Sequence, residues 1–249
     1  MRDRAAFLKP IAHRGLHSAA KGIVENTVPA FEAAIARGYG IECDVRPAAC
    51  GTPMVFHDLT LERLIDGEGP LARHRAEALK TLRYKAGDAA MIDLADLLAL
   101  VAGRQPLLIE IKSEWDKPDA NFLKGIAATA SGYSGPLGLM SFDPAVMTAM
   151  RELAPAIPRG IVSGQYVGDC WWRGKLGPER AYDLTHLLES GPAAPDFYAY
   201  DVNALPTPVT RFTREVLALP LFTWTVRTDE QRATAARWAD APIFEGYEP

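Results

Sequence analysis

Cysteine is scarce in this sequence, and the three positions where it occurs exclude two common kinds of scaffold. Cys43, Cys50 and Cys170 are odd in number, and no two of them form a C-x-x-C motif. Such a set favours neither a disulfide framework nor a zinc site built from cysteines. We therefore expect all three side chains to be reduced thiols.

The sequence also lacks basic clusters and long apolar segments. It has 27 Lys and Arg against 31 Asp and Glu, a net charge of −4, and no run of Lys and Arg longer than two. Without a broad positive field, a nucleic-acid partner is not expected. No stretch reaches the roughly 18 apolar residues of a membrane span, and residues 1–10 contain no apolar signal-peptide core. We expect a cytoplasmic protein without stable membrane insertion, whose anionic ligands are small and bound locally.

Short apolar runs, by contrast, occur throughout the sequence and alternate with amphipathic stretches. Hydrophobic residues make up 48% of the chain, which is enough to bury a substantial core. Strands followed by helices predict a parallel sheet, and a length of 249 residues fits one (β/α)8 TIM barrel domain spanning residues 1–249. The predicted strands are 10–13, 40–46, 107–112, 137–141, 159–162, 197–201, 221–226 and 242–245.

Helical spacing and start signals fill the intervals between these strands. In the first interval, Thr27 can cap a helix that has Pro29 in its first turn. The predicted helices are 27–37, 91–101, 121–130, 144–153, 178–188, 208–218 and 230–238.

Two segments do not fit this alternation. Residues 59–90 are polar and Arg-rich and form a small insertion after the second predicted strand. Residues 163–177 are rich in glycine and contain Tyr166, Trp171 and Trp172. These aromatics favour either a lid over an apolar ligand or, more commonly, a loop folded on its own side chains.

Acidic residues stand at alternate positions within two of the predicted strands. Glu42 and Asp44 share one face of the second strand, and Glu110 and Lys112 share one face of the third. Charges on the inner face of a barrel persist only if they are paired or bind a metal. Three such carboxylates are hard oxygen ligands, so they predict a divalent cation, Mg²⁺ or Ca²⁺.

Two histidines follow apolar runs and so belong at strand ends, where catalytic groups of barrels collect. His13 ends the first strand, and His57 follows the short run at residues 53–56. Either histidine alone is as compatible with a structural role as with catalysis. Beside a cation and Lys112, which would offset negative charge, the pair suits general acid and base catalysis of a hydrolysis through a dianionic transition state.

These residues resemble, in order and spacing, the motifs of the glycerophosphodiester phosphodiesterase family. The resemblance covers residues 10 to about 245 and rests on His13-Arg14-Gly15, Glu25-Asn26-Thr27, Glu42-x-Asp44, His57-Asp58, Glu110-x-Lys112, Ser141-Phe142-Asp143 and Trp224-Thr225-Val226.

The resemblance implies a TIM barrel with an insertion after the second strand and cleavage of a glycerophosphodiester to glycerol 3-phosphate and an alcohol. It implies that His13 and His57 are the acid/base pair and that Arg14 and Lys112 hold the phosphate. The metal ligands it implies are Glu42, Asp44 and Glu110. Trp224, at the end of a predicted strand, is assigned to the substrate pocket, with core packing as the alternative.

The sequence departs from the family pattern at several turn positions. Val24 replaces a usual proline, and Ala48 and Cys50 replace a usual Thr and Asp, so we expect little effect on chemistry. Residues 243–246 replace a usual Thr-Asp or Thr-Asn before a proline, which alters the edge where the barrel closes.

Three other functions compete with this interpretation. A lysophospholipase D or sphingomyelinase D type activity on a lipid would use the same barrel and the same two histidines. A zinc amidohydrolase would need His13, His17 and His57 as ligands, but the first strand lacks H-x-H. A catalytically inactive barrel retained as a binding module is disfavoured by the intact histidines and carboxylates. The alcohol, the choice between Mg²⁺ and Ca²⁺ and the formation of a homo-oligomer stay open.

Overall fold

Eight parallel strands form a closed barrel in the computed structural model, which describes residues 4–167, 172 and 174–249. The strands of these residues are β1 (Ile11–Ala12), β2 (Gly40–Pro47), β3 (Pro53–Val55), β4 (Leu107–Ile111), β5 (Leu137–Ser141), β6 (Arg159–Ser163), β7 (Phe197–Asp201), β8 (Leu221–Val226) and β9 (Ala241–Phe244). All pair in parallel except β3, which runs antiparallel to β2. Pairing of β9 with β1 and of β1 with β2 closes the ring. The predicted TIM barrel is confirmed, with β3 as an additional strand.

The helices lie mainly between successive strands, as the alternation predicts. Within the described residues they are α1 (Arg4–Phe7), α2 (Val28–Ala36), α3 (Ala76–Leu79), α4 (Leu94–Val101), α5 (Ala120–Ser131), α6 (Pro144–Leu153), α7 (Pro178–Thr185), α8 (Pro208–Arg211) and α9 (Asp229–Trp238). None of these helices combines the length and the apolar character that crossing a membrane requires.

Two predicted helices are shorter than their apolar spacing suggests. The helix predicted over 178–188 ends at Thr185, because Leu187 adopts a left-handed backbone conformation with φ of 60°. The helix predicted over 208–218 ends as α8 and continues as a π-helical turn, Phe212–Val216.

Helix α4 shows how capping residues set a helix boundary. The Asp93 side chain accepts a hydrogen bond from the main-chain N–H of Asp96 at 2.9 Å, and the Asp96 side chain accepts one from the main-chain N–H of Asp93 at 3.2 Å. Met91 and Ile92 therefore lie before the cap, although they continue the apolar pattern.

The register between neighbouring strands brings distant residues together at one end of the barrel. Asp44 of β2 pairs with Glu110 of β4, and Glu42 lies two residues earlier on the same face of β2. Ala12 of β1 pairs with Phe244 of β9, so the residues after these two strands leave the barrel side by side.

Apolar side chains fill the barrel, and helix α1 contributes Phe7 to this interior. Gly160 leaves room for the ring of Phe197, because a Cβ atom at Gly160 would lie 2.1 Å from that ring. The buried interior residues are Phe7, Ile11, Leu108, Met140, Val162, Phe197, Ala199, Phe222, Ala241 and Ile243.

The insertion at residues 59–90 has an apolar centre of its own, despite its polar and Arg-rich composition. Its buried side chains pack with Met54 of β3 and with Phe56. Those contributed by the insertion itself are Leu61, Ile65, Leu71, Ala76, Leu79 and Tyr84. The insertion is thereby fixed against β3, immediately before His57.

Two of the three cysteines lie within the described residues. Cys43 and Cys50 are free, and Cys43 is buried. Cys170 and Trp171 lie outside the described residues.

Candidate active site

A pocket of about 470 Å³ opens at the carboxyl ends of the barrel strands, where active sites of this fold lie. Seven of the eight predicted site residues line this pocket, and the remaining one, Asp44, is completely buried beside it. The predicted site residues that line it are His13, Arg14, Glu42, His57, Glu110, Lys112 and Trp224.

Three buried carboxylates meet at the base of this site. Glu42, Asp44 and Glu110 each offer an oxygen atom within 4.8 Å of the others. The Nζ of Lys112 lies 2.6 Å from Glu110 Oε1 and 2.8 Å from Asp44 Oδ1. Alternation along β2 and β4, together with their register, accounts for this convergence.

The three carboxylates carry more negative charge than the two cations beside them, Lys112 and Arg14, can neutralise. Burial raises the pKa of Glu42 well above its usual range, and the charges of Asp44 and Glu110 raise it further. Burial acts in the same direction on Asp44, but Lys112 and Arg14 outweigh it and lower the pKa of Asp44 well below its usual range.

Two buried oxygens of the cluster lack a hydrogen-bond partner in the described part of the chain, and one of them, Asp44 Oδ1, still lies 2.8 Å from Lys112 Nζ. Glu42 Oε1 is buried and accepts no hydrogen bond from the described residues. An unpartnered oxygen among three repelling carboxylates fits a divalent cation, for which hard oxygen ligands are suited. The donor set thus agrees with the predicted metal, but it does not distinguish Mg²⁺ from Ca²⁺.

His13 is held by the carboxylate of Glu245, the residue that directly follows β9. Its Nδ1 lies 2.7 Å from Glu245 Oε2, and its Nε2 lies 3.9 Å from Glu42 Oε2. Because an ionised carboxylate only accepts hydrogen bonds, this contact assigns the proton of the neutral ring to Nδ1. Nε2 is then the nitrogen that can accept a proton.

Burial and neighbouring charges shift the pKa values of both His13 and Glu245 below their ordinary values. Burial lowers the pKa of His13 below its ordinary value, although the hydrogen bond with Glu245 acts in the opposite direction. Burial raises the pKa of Glu245, but hydrogen bonds from His13 and Arg227 outweigh it and bring that pKa to about 2. At neutral pH the pair consists of a neutral imidazole and a carboxylate.

His57 has a carboxylate partner next to it in the chain. Its Nδ1 lies 2.7 Å from Asp58 Oδ1. Arg63 of the insertion donates to Asp58 Oδ1 at 2.9 Å and to Glu25 Oε1 at 2.7 Å. The insertion thus fixes the carboxylate that orients His57.

The two predicted phosphate ligands already contact carboxylates. The Arg14 guanidinium donates to Glu25 Oε1 at 2.8 Å, and its Nε lies 3.3 Å from Asp44 Oδ2. Its main-chain N–H donates to Glu42 Oε2 at 3.0 Å. Lys112, paired with Asp44, still borders the pocket, so both cations combine a supporting contact with access to a ligand.

Aromatic side chains form one wall of the pocket. The Trp224 ring meets Phe142 edge to face at 5.2 Å between centroids, and its Nε1 donates to the carbonyl of Ala199 at 3.3 Å. Trp224 therefore both packs and borders the pocket. In the Gly-rich segment, Tyr166 and Trp172 pack edge to face at 5.8 Å and are buried, as expected for a loop folded on its own aromatics.

Sequence reasoning missed several residues that support the site. Glu245 had no motif of its own, and Arg63 was one of many basic residues in the insertion. Asn26 lies within a recognised motif, but only the structure shows that its buried side chain donates to Asp44 Oδ2 at 2.8 Å. A left-handed backbone, with φ of 55°, turns Asn26 toward the cluster just before α2.

Comparison with known proteins agrees with this geometry. Residues 13–244 match the model of the glycerophosphoryl diester phosphodiesterase family. The probable glycerophosphodiester phosphodiesterase 1 of Mycobacterium tuberculosis is 29% identical over 171 residues, which cover 59% of this chain and 61% of that protein. The glycerophosphodiester phosphodiesterase of Caldanaerobacter subterraneus is 41% identical over 73 residues, 29% of each chain. The chain thus spans less than two thirds of the length of these relatives.

Solved structures share the fold. A phosphodiesterase of Oleispira antarctica, in complex with the product sn-glycerol-3-phosphate, has a TM-score of 0.72 at 19% identity, covering 95% of this chain and 92% of that chain. A glycerophosphodiester phosphodiesterase of Thermotoga maritima has a TM-score of 0.70 at 21% identity, covering 95% and 93%. At these identities the likeness establishes the barrel, while the match to the family model establishes the family.

Proposed function

Because the chain belongs to the glycerophosphoryl diester phosphodiesterase family, we propose that it hydrolyses a glycerophosphodiester to glycerol 3-phosphate and an alcohol. One observation carries the proposal. His13 and His57, each with a carboxylate on Nδ1, border the same pocket above three buried carboxylates. This arrangement suits acid and base catalysis on a phosphate held at the base of the pocket.

The carboxylate cluster and Lys112 stabilise negative charge on the phosphate in this proposal. A divalent cation held by Glu42, Asp44 and Glu110 would polarise the phosphoryl oxygens. Lys112 supplies a fixed positive charge, and its contacts with Asp44 and Glu110 hold its ammonium group in place.

The two histidines divide the proton transfers. His13 acts as the base, because burial keeps its ring neutral and the contact with Glu245 leaves Nε2 unprotonated. His57 acts as the acid that protonates the departing alcohol oxygen, and the contact of its Nδ1 with Asp58 orients the ring. In-line displacement needs one group on the entering oxygen and one on the leaving oxygen, which a single imidazole cannot supply at once.

Phosphorus NMR on a panel of diesters tests the proposal. The protein is incubated with Mg²⁺ or Ca²⁺ and with glycerophosphodiesters of choline, ethanolamine and glycerol, beside lysolipids with the same headgroups. We expect glycerol 3-phosphate from the first group and no reaction in excess EDTA. Lysophosphatidate as the main product would favour the lipid-directed alternative, and a cyclic phosphate would show ring closure by a neighbouring hydroxyl. No cleavage of any diester would refute the proposal.

Replacement of Lys112 by alanine is expected to lower kcat by about 10²-fold or more and to change KM less, as for loss of a group that stabilises transition-state charge. Steady-state kinetics on the best diester of the panel provide the measurement. Lys175→Ala is the matched control, because Lys175 also borders the pocket but pairs with Glu114 instead of the cluster. An unchanged kcat with a higher KM would show that Lys112 only binds the substrate ground state.

A further inference from the structure

We propose that His13, His17 and Glu245 form a second metal site, which takes Zn²⁺ or a similar borderline transition metal and inhibits the enzyme when filled. Each residue offers a ligand atom within 4.8 Å of the other two. Two imidazoles and one carboxylate form a common zinc ligand set, whereas the carboxylate cluster offers only hard oxygens. The inhibitory part of the inference rests on the proposed function, but the binding part does not.

The positions of the three side chains suit one small ion. Glu245 Oε2 lies 2.7 Å from His13 Nδ1 and 4.0 Å from His17 Nε2. Zinc–ligand bonds of about 2.0–2.2 Å in tetrahedral geometry place donor atoms about 3.3–3.5 Å apart. The two observed distances lie on either side of this value, so small side-chain adjustments would bring the Glu245 oxygen to the required separation from each imidazole nitrogen.

An unpartnered nitrogen distinguishes this set from an ordinary hydrogen-bonded pair. His17 Nε2 is buried, yet it makes no hydrogen bond with the described residues. Buried polar atoms without partners are uncommon and call for an explanation such as an ion. The main-chain N–H of His17 donates to the carbonyl of Gly15 at 2.9 Å. This bond holds His17 close to the end of β1.

Charged neighbours leave room for a cation here. Arg227 donates to Glu245 Oε2 at 2.9 Å, and half of its side chain is exposed, so it can turn into solvent when a metal binds. Arg14 stays engaged with Glu25 and Asp44.

Binding at Nδ1 explains why a filled site inhibits. The metal takes the Nδ1 lone pair of His13, and the ring proton passes through solvent to Nε2, so the imidazole stays neutral. Nε2 then carries a hydrogen and can no longer accept a proton from the nucleophile. Zinc therefore removes the base without entering the carboxylate cluster.

A zinc titration of the His17→Gln variant tests the site. In saturating Mg²⁺, we expect micromolar Zn²⁺ to inhibit the wild-type protein and at least tenfold more to be needed for the variant, whose activity without zinc equals that of the wild type. Calorimetric titration of the Mg²⁺-loaded protein is expected to show one zinc site, and His17→Gln should lower its zinc affinity by the same factor of at least ten. His74→Gln is the control, because the His74 ring forms its one described hydrogen bond with the carbonyl of Glu68, at 3.1 Å.

The binding measurement remains decisive if no diester proves to be a substrate. Co²⁺, added to the Mg²⁺-loaded protein, should give a visible absorption band of a low-coordinate nitrogen and oxygen site, and His17→Gln should abolish it. Equal zinc affinity and equal cobalt spectra in the wild type and His17→Gln would overturn the proposed site. Equal inhibition of both proteins by zinc would overturn the inhibitory role and place the effect at the carboxylate cluster. Melting temperatures within the same range show that the variant folds.

Discussion

Replacement of His57 by alanine is expected to reduce cleavage of an alkyl glycerophosphodiester by about 10²- to 10⁴-fold, the usual contribution of general acid catalysis. The same variant should cleave a p-nitrophenyl diester at close to the wild-type rate, because nitrophenolate leaves without protonation. Replacement of His13 by alanine should instead abolish cleavage of both substrates, since each needs the base. Initial rates on the two diesters measure the difference.

His74→Ala serves as the control for loss of an imidazole outside the pocket. Equal losses on both substrates for both pocket variants would contradict the division of labour and indicate histidines that only bind phosphate. In the wild type, kcat/KM should follow a bell-shaped pH profile whose two limbs belong to the histidine pair as a coupled unit.

Replacement of Glu42 by glutamine is expected to abolish activity and yet to stabilise the metal-free protein at neutral pH. The amide oxygen can still accept the hydrogen bond from the Arg14 main chain, while one of three repelling charges is removed. Metal binding should contribute about 2.7 kcal/mol to the wild type at a hundredfold excess over Kd, and much less to the variant. Thermal unfolding in EDTA and in Mg²⁺ measures both effects.

The pH dependence of stability gives the same experiment a second readout. The pKa of Glu42 is raised in the folded state above its value of 4.5 in the unfolded chain. Protonation of Glu42 therefore stabilises the metal-free fold fully below pH 4.5, and this stability is lost as pH rises through the folded-state pKa. Glu42→Gln should flatten this loss, whereas Glu32→Gln, at an exposed ion pair with Arg104, should not. A metal-free variant less stable than the wild type would contradict the repulsion argument.

The barrel could be predicted from the sequence because each strand is a separate apolar run. The alternation of side chains between the two faces of a strand is a local property. It therefore places Glu42 with Asp44, and Glu110 with Lys112, on common faces without knowledge of the register between strands. The boundaries of α7 and α8 could not be obtained in the same way, since the left-handed Leu187 and the π-helical turn after Arg211 leave no mark in apolar spacing.

The supporting contacts of the site depend on residues that are far apart in the chain. Arg63 reaches Glu25 across 38 positions, and its insertion has a composition that predicts only exposed surface. Glu245 is one acidic residue among 31 Asp and Glu, and only closure of the barrel identifies it as the partner of His13. Motif spacing identifies the proposed catalytic groups more readily than the groups that orient them, because the orienting groups need only be near in space.

Closure of the barrel by β1 and β9 has a consequence for a chain during synthesis. The contact between His13 and Glu245 joins residues 232 positions apart. During synthesis His13 is made 232 residues before Glu245, so a nascent chain carries His13 and His57 long before the carboxylate that sets the His13 tautomer. The contact that orients His13 therefore forms only when β9 docks against β1, after the rest of the barrel has been synthesised.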